Sequence, residues 1–213
     1  MASPHPHPHA HPRPRALRAP VSISGTHVHL TAAAIEALFS DHYRLHEYSR
    51  LLQPAVYEAY ETVTLIGPRG HLDHVRVIGP PRSENQVELS STDALALGIA
   101  APVRRSGEVG DTPGILIKGP RSTLRLEHGV IRALRHVHMS PADSLRAGVR
   151  DGDRLEATAG RAPATLRDVL VRVSPDYRLE LHIDAHEANA LGLHAGDRVE
   201  LRKVSAAAPR SAR

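Results

Sequence analysis

The apolar positions of this chain fall mostly in short runs rich in Val, Ile and Leu. Turn sequences such as Gly67-Pro68-Arg69-Gly70 and Gly79-Pro80-Pro81 separate these runs. Short β-branched runs bounded by Gly and Pro are typical of β-strands. The pattern predicts strands at residues 63–66, 75–78, 86–89, 115–117, 130–138, 169–173 and 179–183.

A second pattern recurs at residues 93–99, 144–156 and 189–200. Each copy reads as a short helix that ends at Gly and is followed by an apolar residue. In the last two copies a Gly-Asp turn then leads into a strand. Regular alternation of strands and helices is absent, which argues against a doubly wound sheet or a TIM barrel. We therefore expect a mainly β fold with short helices, built as two β-barrel domains.

The two ends of the chain differ from the body between them. Residues 1–20 are of low complexity, with Pro and His alternating over residues 4–9 and further prolines after them, and proline at this density prevents a helix. The net charge is +4, but the positive charges are concentrated at both ends, so the body is mildly acidic. We expect a disordered tail at 1–20, a first barrel region at 21–110, a second at 111–201 and a basic tail at 202–213.

The composition narrows the classes of function. None of the 213 residues is Cys, which excludes disulfides, thiolate zinc sites and a Cys nucleophile and leaves His and carboxylates as metal ligands. Aromatic residues make up 3% of the chain, too few for stacking nucleic-acid bases on an acidic body. No apolar run approaches the roughly 18 residues of a membrane span. We expect no nucleic acid, no membrane and a cytoplasmic location.

Two distant stretches are almost identical, His27-Val28-His29-Leu30 and His136-Val137-His138-Met139. Residues i and i+2 of a strand share a face, so each stretch would aim two imidazoles at one point, where they can chelate a metal. A helix N-cap follows each stretch, at Thr31 and Ser140. The alternative is that these histidines are satisfied by hydrogen bonds in the core or at the surface. The shared context favours two metal-binding halves.

Other residues could complete such a site. His182 lies between two apolar residues of a predicted strand, although a buried, hydrogen-bonded histidine is the alternative. Glu88 shares a strand face with Gln86, although it could be a surface carboxylate. Arg82, and the stretch Arg104-Arg105-Ser106-Gly107, offer guanidinium groups that can bind a phosphate with two hydrogen bonds.

Taken in order, these motifs resemble those of the PduL-type phosphate propanoyltransferases. The resemblance runs from about residue 21 to about residue 201. The matching motifs are His27-Val28-His29-Leu30, Gly79-Pro80-Pro81-Arg82, Gln86-Val87-Glu88, Pro102-Val103-Arg104-Arg105-Ser106-Gly107, Arg135-His136-Val137-His138-Met139-Ser140 and His182-Ile183-Asp184. The resemblance implies two β-barrels with a dinuclear zinc site between them. It also implies exchange of an acyl group between coenzyme A and inorganic phosphate.

The resemblance further implies a role for individual residues. The ligands of two Zn²⁺ ions would be His27, His29 and Glu88 for one and His136, His138 and His182 for the other. Arg82 would bind phosphate with Ser106 nearby, and the contacts with coenzyme A would be made by Ser24, Arg76 and Asn189. The implied partners are coenzyme A, acyl-CoA and inorganic phosphate, and formation of a homo-oligomer stays open.

Some features depart from the family pattern. Thr26 stands where the family usually has a basic residue, and Ala55-Val56 stands where it favours Gly-Gln. Family members are often packaged in bacterial microcompartments by an N-terminal amphipathic helix. The Pro/His tract cannot form one, so we expect a free cytoplasmic enzyme while microcompartment association stays open. Two alternatives to the acyltransferase also stay open: a zinc-dependent acyl-CoA thioester hydrolase and a non-catalytic, metal-stabilised scaffold.

Overall fold

The computed structural model of the protein describes residues 17–159 and 165–203. These residues form fifteen strands and four short helices. The strands are β1 (Leu17–Ser24), β2 (His27–His29), β3 (Glu47–Arg50), β4 (Tyr57–Ile66), β5 (His71–Gly79), β6 (Gln86–Glu88), β7 (Val103–Arg104), β8 (Ile115–Lys118), β9 (Thr123–Leu126), β10 (Val130–Ala133), β11 (His136–Met139), β12 (Arg154–Ala159), β13 (Thr165–Val173), β14 (Glu180–Asp184) and β15 (Arg198–Lys203). The helices are α1 (Ala32–Leu38), α2 (Ser91–Leu97), α3 (Pro141–Ala147) and α4 (Ala185–Leu191).

Six strands close into a barrel in the order β1-β14-β11-β13-β12-β15, and β15 pairs back with β1. Alternate residues point inward along its strands, as in β12, where Leu155, Ala157 and Ala159 are buried. The interior also contains Val137 and Leu181, both fully buried. Closure leaves no unpaired edge, so the backbone polar groups of these strands satisfy one another.

The other nine strands form a curled sheet that stays open. Its order is β7-β10-β6-β2-β5-β4-β8-β9, and β3 pairs with β4. Helix α1 covers part of the sheet, and its Ile35 and Leu38 belong to the same buried core as Val28, Leu65 and Ile117. The expected mainly β fold with short helices is confirmed, although only one of the two expected barrels closes fully, and its strands come from β1 and from residues 136–203.

Each helix is seven residues long and begins at a capping side chain. Thr31 and Ser140 cap α1 and α3, directly after the two His-Val-His strands as predicted, while Ser90 and Asp184 cap α2 and α4. Such short helices are unstable by themselves. The caps and the packing against the sheets therefore hold them in place.

The chain changes sheets in places that the apolar pattern did not predict. Residues 130–138 were expected to form one strand, but β10 pairs with β6 and β7 of the curled sheet and β11 belongs to the barrel. The predicted division after residue 110 therefore does not follow sheet membership, since β8, β9 and β10 lie in the curled sheet. Strand β1, from the start of the chain, lies in the barrel.

Some residues that were expected to belong to the two tails lie in strands of the barrel instead. Residues 17–20 belong to β1, where Ala19 is fully buried, and Arg202 and Lys203 belong to β15. The Pro/His tract at 5–12 and the rest of the basic tail, from residue 204, lie outside the described residues. Among those that are described, no helix has the length and apolar character needed to cross a bilayer. The cytoplasmic location stays a prediction.

Ala55 lies in the left-handed region of backbone conformation, with φ of 62°. A side chain costs about 1–2 kcal/mol in this region, whereas glycine enters it freely, although glycine also makes the unfolded chain more flexible. We expect Ala55→Gly to raise the free energy of unfolding by about 0.5–1 kcal/mol. Urea denaturation measures this change.

The matched control is Ala37→Gly in α1, where the backbone is helical and the side chain is exposed. This change should lower stability by about 1 kcal/mol. Equal destabilisation by the two substitutions would show that residue 55 does not need a left-handed backbone in solution.

Candidate functional site

The first ligand group lies on neighbouring strands of the curled sheet. His27 and His29 occupy the same face of β2, and His27 lies directly opposite Glu88 of the antiparallel strand β6. The Nε2 atoms of the two imidazoles are 3.2 Å apart. The carboxylate oxygens of Glu88 lie 3.5 Å from His27 Nε2 and 3.7 Å from His29 Nε2. Strand register thus brings three metal-binding side chains to one point.

The second group lies in the barrel. His136 and His138 share a face of β11, and His136 lies directly opposite His182 of the antiparallel strand β14. The ring centroids of His136 and His182 are 4.9 Å apart, and His138 is 4.7 Å from each of them. Within each group, one potential ligand atom per residue lies within 4.8 Å of the others. The structure therefore assembles both predicted ligand sets.

The two groups follow one structural rule. Each His-Val-His strand lies between a parallel and an antiparallel neighbour, which are β5 and β6 for β2 and β13 and β14 for β11. The third ligand always lies opposite the first histidine on the antiparallel neighbour. Glu88 and His182 are therefore equivalent positions of two similar half-sites.

In three of these histidines the hydrogen bond made by Nδ1 leaves Nε2 without a proton. Nδ1 of His27, His29 and His136 each donates to a backbone carbonyl, of Gly25, Ile78 and Leu134, at 2.8, 3.3 and 2.9 Å. A carbonyl only accepts, so Nε2 is the basic nitrogen in these rings. Donation of the other ring N–H to a carbonyl is the usual support for a metal-binding histidine.

His138 provides the clearest sign that a ligand belongs here. Both of its ring nitrogens are buried and have no hydrogen-bond partner. A buried polar atom without a partner costs about 1–3 kcal/mol, and such atoms are rare in folded proteins. A metal ion bound to one nitrogen would remove part of this cost. Imidazole and carboxylate donors suit zinc among other divalent ions, so the residues present fit the implied metal.

Burial keeps these imidazoles uncharged. It lowers the pKa of His29 to about 4, of His136 to about 3 and of His138 to about 2, and nearby histidines and arginines add to the effect. Burial alone would raise the pKa of Glu88, but His27 and His29 lower it well below its usual range. Neutral imidazoles and an ionised carboxylate are the forms that bind a metal.

Glu180 and Gln53 support the second group. His182 donates through Nε2 to Glu180 Oε2 at 2.9 Å, which leaves Nδ1 as the free nitrogen of this ring. Gln53 Nε2 donates to the same carboxylate oxygen at 2.7 Å and to the carbonyl of Arg178 at 3.0 Å. Gln53 and Glu180 are both buried. The loop before β4 is thereby tied to the barrel beside a predicted ligand.

Both groups open into one cavity of about 480 Å³ that also contains Arg82 and Ser106. Arg82 donates to Ser106 Oγ at 3.3 Å, and Ser106 donates to Glu88 Oε1 at 2.9 Å. Gln86 Nε2 donates to the same Glu88 oxygen at 2.6 Å, as expected for two residues that share a face. Cavities of about 300–1,000 Å³ suit small-molecule substrates.

The chain is similar in sequence to known proteins over most of its length. The sequence profile described as Phosphate propanoyltransferase matches residues 20–194. The chain belongs to the phosphate propanoyltransferase family. The phosphate propanoyltransferase of Thermotoga maritima is 48% identical over 181 residues, which cover 84% of this chain and 86% of that protein. That of Citrobacter freundii is 50% identical over 175 residues, which cover 81% and 83% of the two chains.

A more divergent relative extends over a similar length. The phosphate propanoyltransferase of Listeria monocytogenes is 42% identical over 188 residues, which cover 88% of each chain. The family resemblance inferred from the motifs is thus confirmed, and with it the acyltransferase class. A solved structure, of the rationally designed mkDPBB_sym1 protein, covers 32% of this chain and 79% of its own at 24% identity, with a TM-score of 0.26. This similarity is too weak to support a conclusion.

The residues implied to contact coenzyme A in this family are not all at the cavity. Ser24 and Arg76 line it, whereas Asn189 lies exposed on α4 and is not part of the lining. Arg76 donates to the carbonyls of Ala59 and Tyr60 at 3.0 and 3.2 Å. Its guanidinium is therefore already held by the sheet.

The departure from the family at Thr26 has a structural explanation. Thr26 Oγ1 accepts from the backbone N–H of Ser90 at 2.9 Å and donates to Asp93, in the first turn of α2. Arg135, which precedes the second His-Val-His, contacts Glu187 at 2.7 Å in the first turn of α4. A hydroxyl and a guanidinium thus make the equivalent contact to a helix in the two half-sites.

Residues beyond those predicted also line the cavity, among them Gln53, Arg172, Tyr177 and Glu180. Glu180 shares a strand face with His182, so the two-residue spacing could have suggested it. Arg172 and Tyr177 carry no local signal of this kind. Gln53 meets Glu180 across 127 positions of sequence, which no local pattern predicts.

Low pH should destabilise the metal-free protein. The buried imidazoles bind protons less readily in the folded chain than in the unfolded chain, so the unfolded state takes up more protons as the pH falls below about 6.5. The stability contributed by neutral His29, His136 and His138 is present above that pH and is lost below it. We expect urea midpoints of the protein in chelator to fall steadily from pH 7 to pH 5.

Two variants test whether the buried histidines cause this dependence of stability on pH. His136→Gln should flatten the dependence, by up to about 1.4 kcal/mol per pH unit for one buried imidazole. His128→Gln removes an exposed imidazole and should leave it unchanged. The loss from Glu88 begins only below its unfolded pKa, near pH 4.5, because its folded pKa is lowered. A midpoint constant between pH 7 and 5 would contradict burial of neutral histidines.

Proposed function

We propose that this protein exchanges a short acyl group, propanoyl or a similar one, between coenzyme A and inorganic phosphate at a centre that holds two zinc ions. The observation that carries the proposal is geometric. Two half-sites with equivalent strand register, His27/His29/Glu88 and His136/His138/His182, open into the same cavity as Arg82. The relatives that share most of this chain are named phosphate propanoyltransferases.

The ligand sets are five imidazoles and one carboxylate. His27, His29 and Glu88 would hold one ion, and His136, His138 and His182 would hold the other. Three protein ligands leave an open position on a four-coordinate ion. When bound, zinc supplies a Lewis acid that stabilises negative charge developing on an acyl oxygen. Ser106 and Gln86 orient the Glu88 carboxylate through the hydrogen bonds that they donate to it.

In the reaction, a phosphate oxygen attacks the carbonyl carbon of the thioester and forms a C–O bond. The C–S bond breaks, and the sulfur leaves as the thiolate of coenzyme A. Arg82 binds the attacking phosphate through charge-assisted hydrogen bonds, and Ser106 fixes the position of its guanidinium. Orientation of two reactants in one cavity supplies much of the acceleration.

Transfer is direct, within a complex that holds both substrates. The chain contains no Cys that could carry the acyl group as a thioester. Ser106 accepts from Arg82 and donates to Glu88, so we assign its hydroxyl to holding these two side chains in place. The acyl-CoA enters along the side of the cavity lined by Ser24 and Arg76. Asn189, exposed on α4, is proposed to contact coenzyme A outside the cavity.

The acyltransferase proposal is tested by omitting phosphate. Purified protein with two equivalents of zinc should convert propanoyl-CoA to propanoyl phosphate and free coenzyme A only when phosphate is present. Thiol release, followed by a thiol reagent, and the acyl phosphate, trapped as a hydroxamate, should appear in equal amounts. Incubation with propanoyl-CoA alone should yield no protein that carries the propanoyl group covalently.

Other results would point to a different function. Release of free acid without phosphate would identify a thioester hydrolase, and no turnover with zinc bound would leave a scaffold. Metal content should be measured in a full-length variant with His5, His7, His9 and His11 changed to Gln, because those residues could bind metal unrelated to catalysis. Two equivalents retained by this variant would support the dinuclear centre, whereas none would exclude it.

Arg82→Ala should weaken phosphate binding while zinc remains bound. A hydrogen bond to a charged group is worth about 1.5–3 kcal/mol, so the KM for phosphate should rise roughly 10- to 100-fold. The KM for propanoyl-CoA should change little. Initial rates at varied phosphate, with zinc measured on the same samples, separate these effects.

The matched control is Arg104→Ala, an exposed arginine of β7 that is not part of the cavity lining. Its removal takes away the same charge and should leave the KM for phosphate unchanged. If both variants change that KM equally, the effect comes from overall charge and Arg82 has no specific role.

A further inference from the structure

The described part of the chain contains three buried side-chain nitrogens without a hydrogen-bond partner. Two of them belong to His138, and the third is Nε of Arg172. A metal ligand explains the imidazole, because a ring nitrogen can bind an ion. A guanidinium cannot bind a cation, so its unpaired donor needs a different explanation.

Strand register places Arg172 beside the metal ligands. It lies next to His138 on the parallel strand β13, and in a paired strand neighbouring residues point to the same face. The residue before it, Val171, points the other way and is fully buried in the barrel core. The Arg172 side chain therefore shares the face that carries His136 and His138.

Tyr177 helps to orient this side chain. Its ring stacks on His138 with centroids 4.1 Å apart, and the Arg172 guanidinium lies over the same ring at 5.7 Å. Arg76, on the strand parallel to the other His-Val-His, provides a contrast. That guanidinium donates to two backbone carbonyls of its own sheet, whereas Nε of Arg172 has no acceptor.

Arg172 lines the cavity from strand β13 of the barrel, and Arg82 lines it from the loop between β5 and β6. Burial lowers the pKa of Arg82, and the charge of Arg172 lowers it further while Glu88 opposes the change. Two guanidinium groups close enough to repel each other in a partly buried cavity are stabilised by an anion between them. The carboxylate of Glu88 is already directed at its two histidines and Ser106.

We propose that Arg172 is a second phosphate-binding residue, which contacts the phosphoryl group of inorganic phosphate or acyl phosphate from the barrel while Arg82 contacts it from the loop between β5 and β6. The inference rests on the proposed function, because it names the residue that completes the phosphate site. A phosphate dianion matches two guanidinium charges, and its several oxygens accept from both groups at once.

Phosphate binding at equilibrium tests the inference without turnover. The probe is inorganic phosphate, titrated into zinc-loaded, full-length protein and followed by ³¹P NMR line broadening. Arg172→Gln should raise the dissociation constant roughly 10- to 100-fold. Arg172→Lys keeps the charge but loses the planar group, so its dissociation constant for phosphate should lie between those of the wild type and of Arg172→Gln. Arg154→Gln, an exposed arginine on the neighbouring strand β12, should bind phosphate like the wild type.

Steady-state rates provide the second measurement. The KM for phosphate should rise with the dissociation constant in Arg172→Gln, while the KM for propanoyl-CoA changes less than two-fold and the zinc content stays at the wild-type value. A general structural defect would alter zinc content or both KM values, and the Lys variant would not relieve it. Such a pattern would overturn the inference.

Two further outcomes would also overturn it. Unchanged phosphate binding in Arg172→Gln would remove the residue from the phosphate site. A raised KM for propanoyl-CoA with unchanged phosphate binding would assign Arg172 to the phosphates of coenzyme A. The proposed function is judged separately, by whether the wild type forms acyl phosphate. An inactive wild type whose phosphate binding still depends on Arg172 would retain the anion site and reject the acyltransferase.

Discussion

The register between three strands is the constraint on which the candidate site depends. In each half-site, a His-Val-His strand is paired with a parallel and an antiparallel neighbour, and the antiparallel partner of the first histidine becomes the third ligand. A shift of one residue would turn every side chain of a strand to the opposite face. The valine of each stretch, Val28 or Val137, is fully buried and resists such a shift.

The same packing that sets the register makes the site costly without a ligand. It buries three neutral imidazoles, an ionised carboxylate and a guanidinium close together. A bound ion of suitable charge offsets such costs. A cation between the imidazoles and an anion between the arginines would each lower the cost of burying these side chains. Ion binding therefore stabilises the fold of this protein by offsetting the cost of burying these groups.

Contacts between the two sheets add a second coupling. Gln53 ties the loop before β4 to Glu180 and Arg178 of the barrel, and Glu180 holds the ring of His182. The resemblance to the family predicts Gly-Gln at the positions that Ala55-Val56 occupy in this loop. The left-handed backbone at Ala55 accounts for a glycine at that position. A glycine there would take this backbone conformation without the steric cost that the alanine side chain adds.

Local patterns determined much of this protein. Alternation of apolar residues, the caps at Thr31 and Ser140 and the two-residue spacing of the histidines depend only on near neighbours, so the sequence shows them directly. It does not show that residues 130–138 divide between two sheets, since no Gly or Pro separates the two pieces. Nor does it show that Arg172 and Gln53 reach the cavity. Those facts arise when barrel closure and sheet packing select one register among many, a choice made by contacts between residues far apart in the chain.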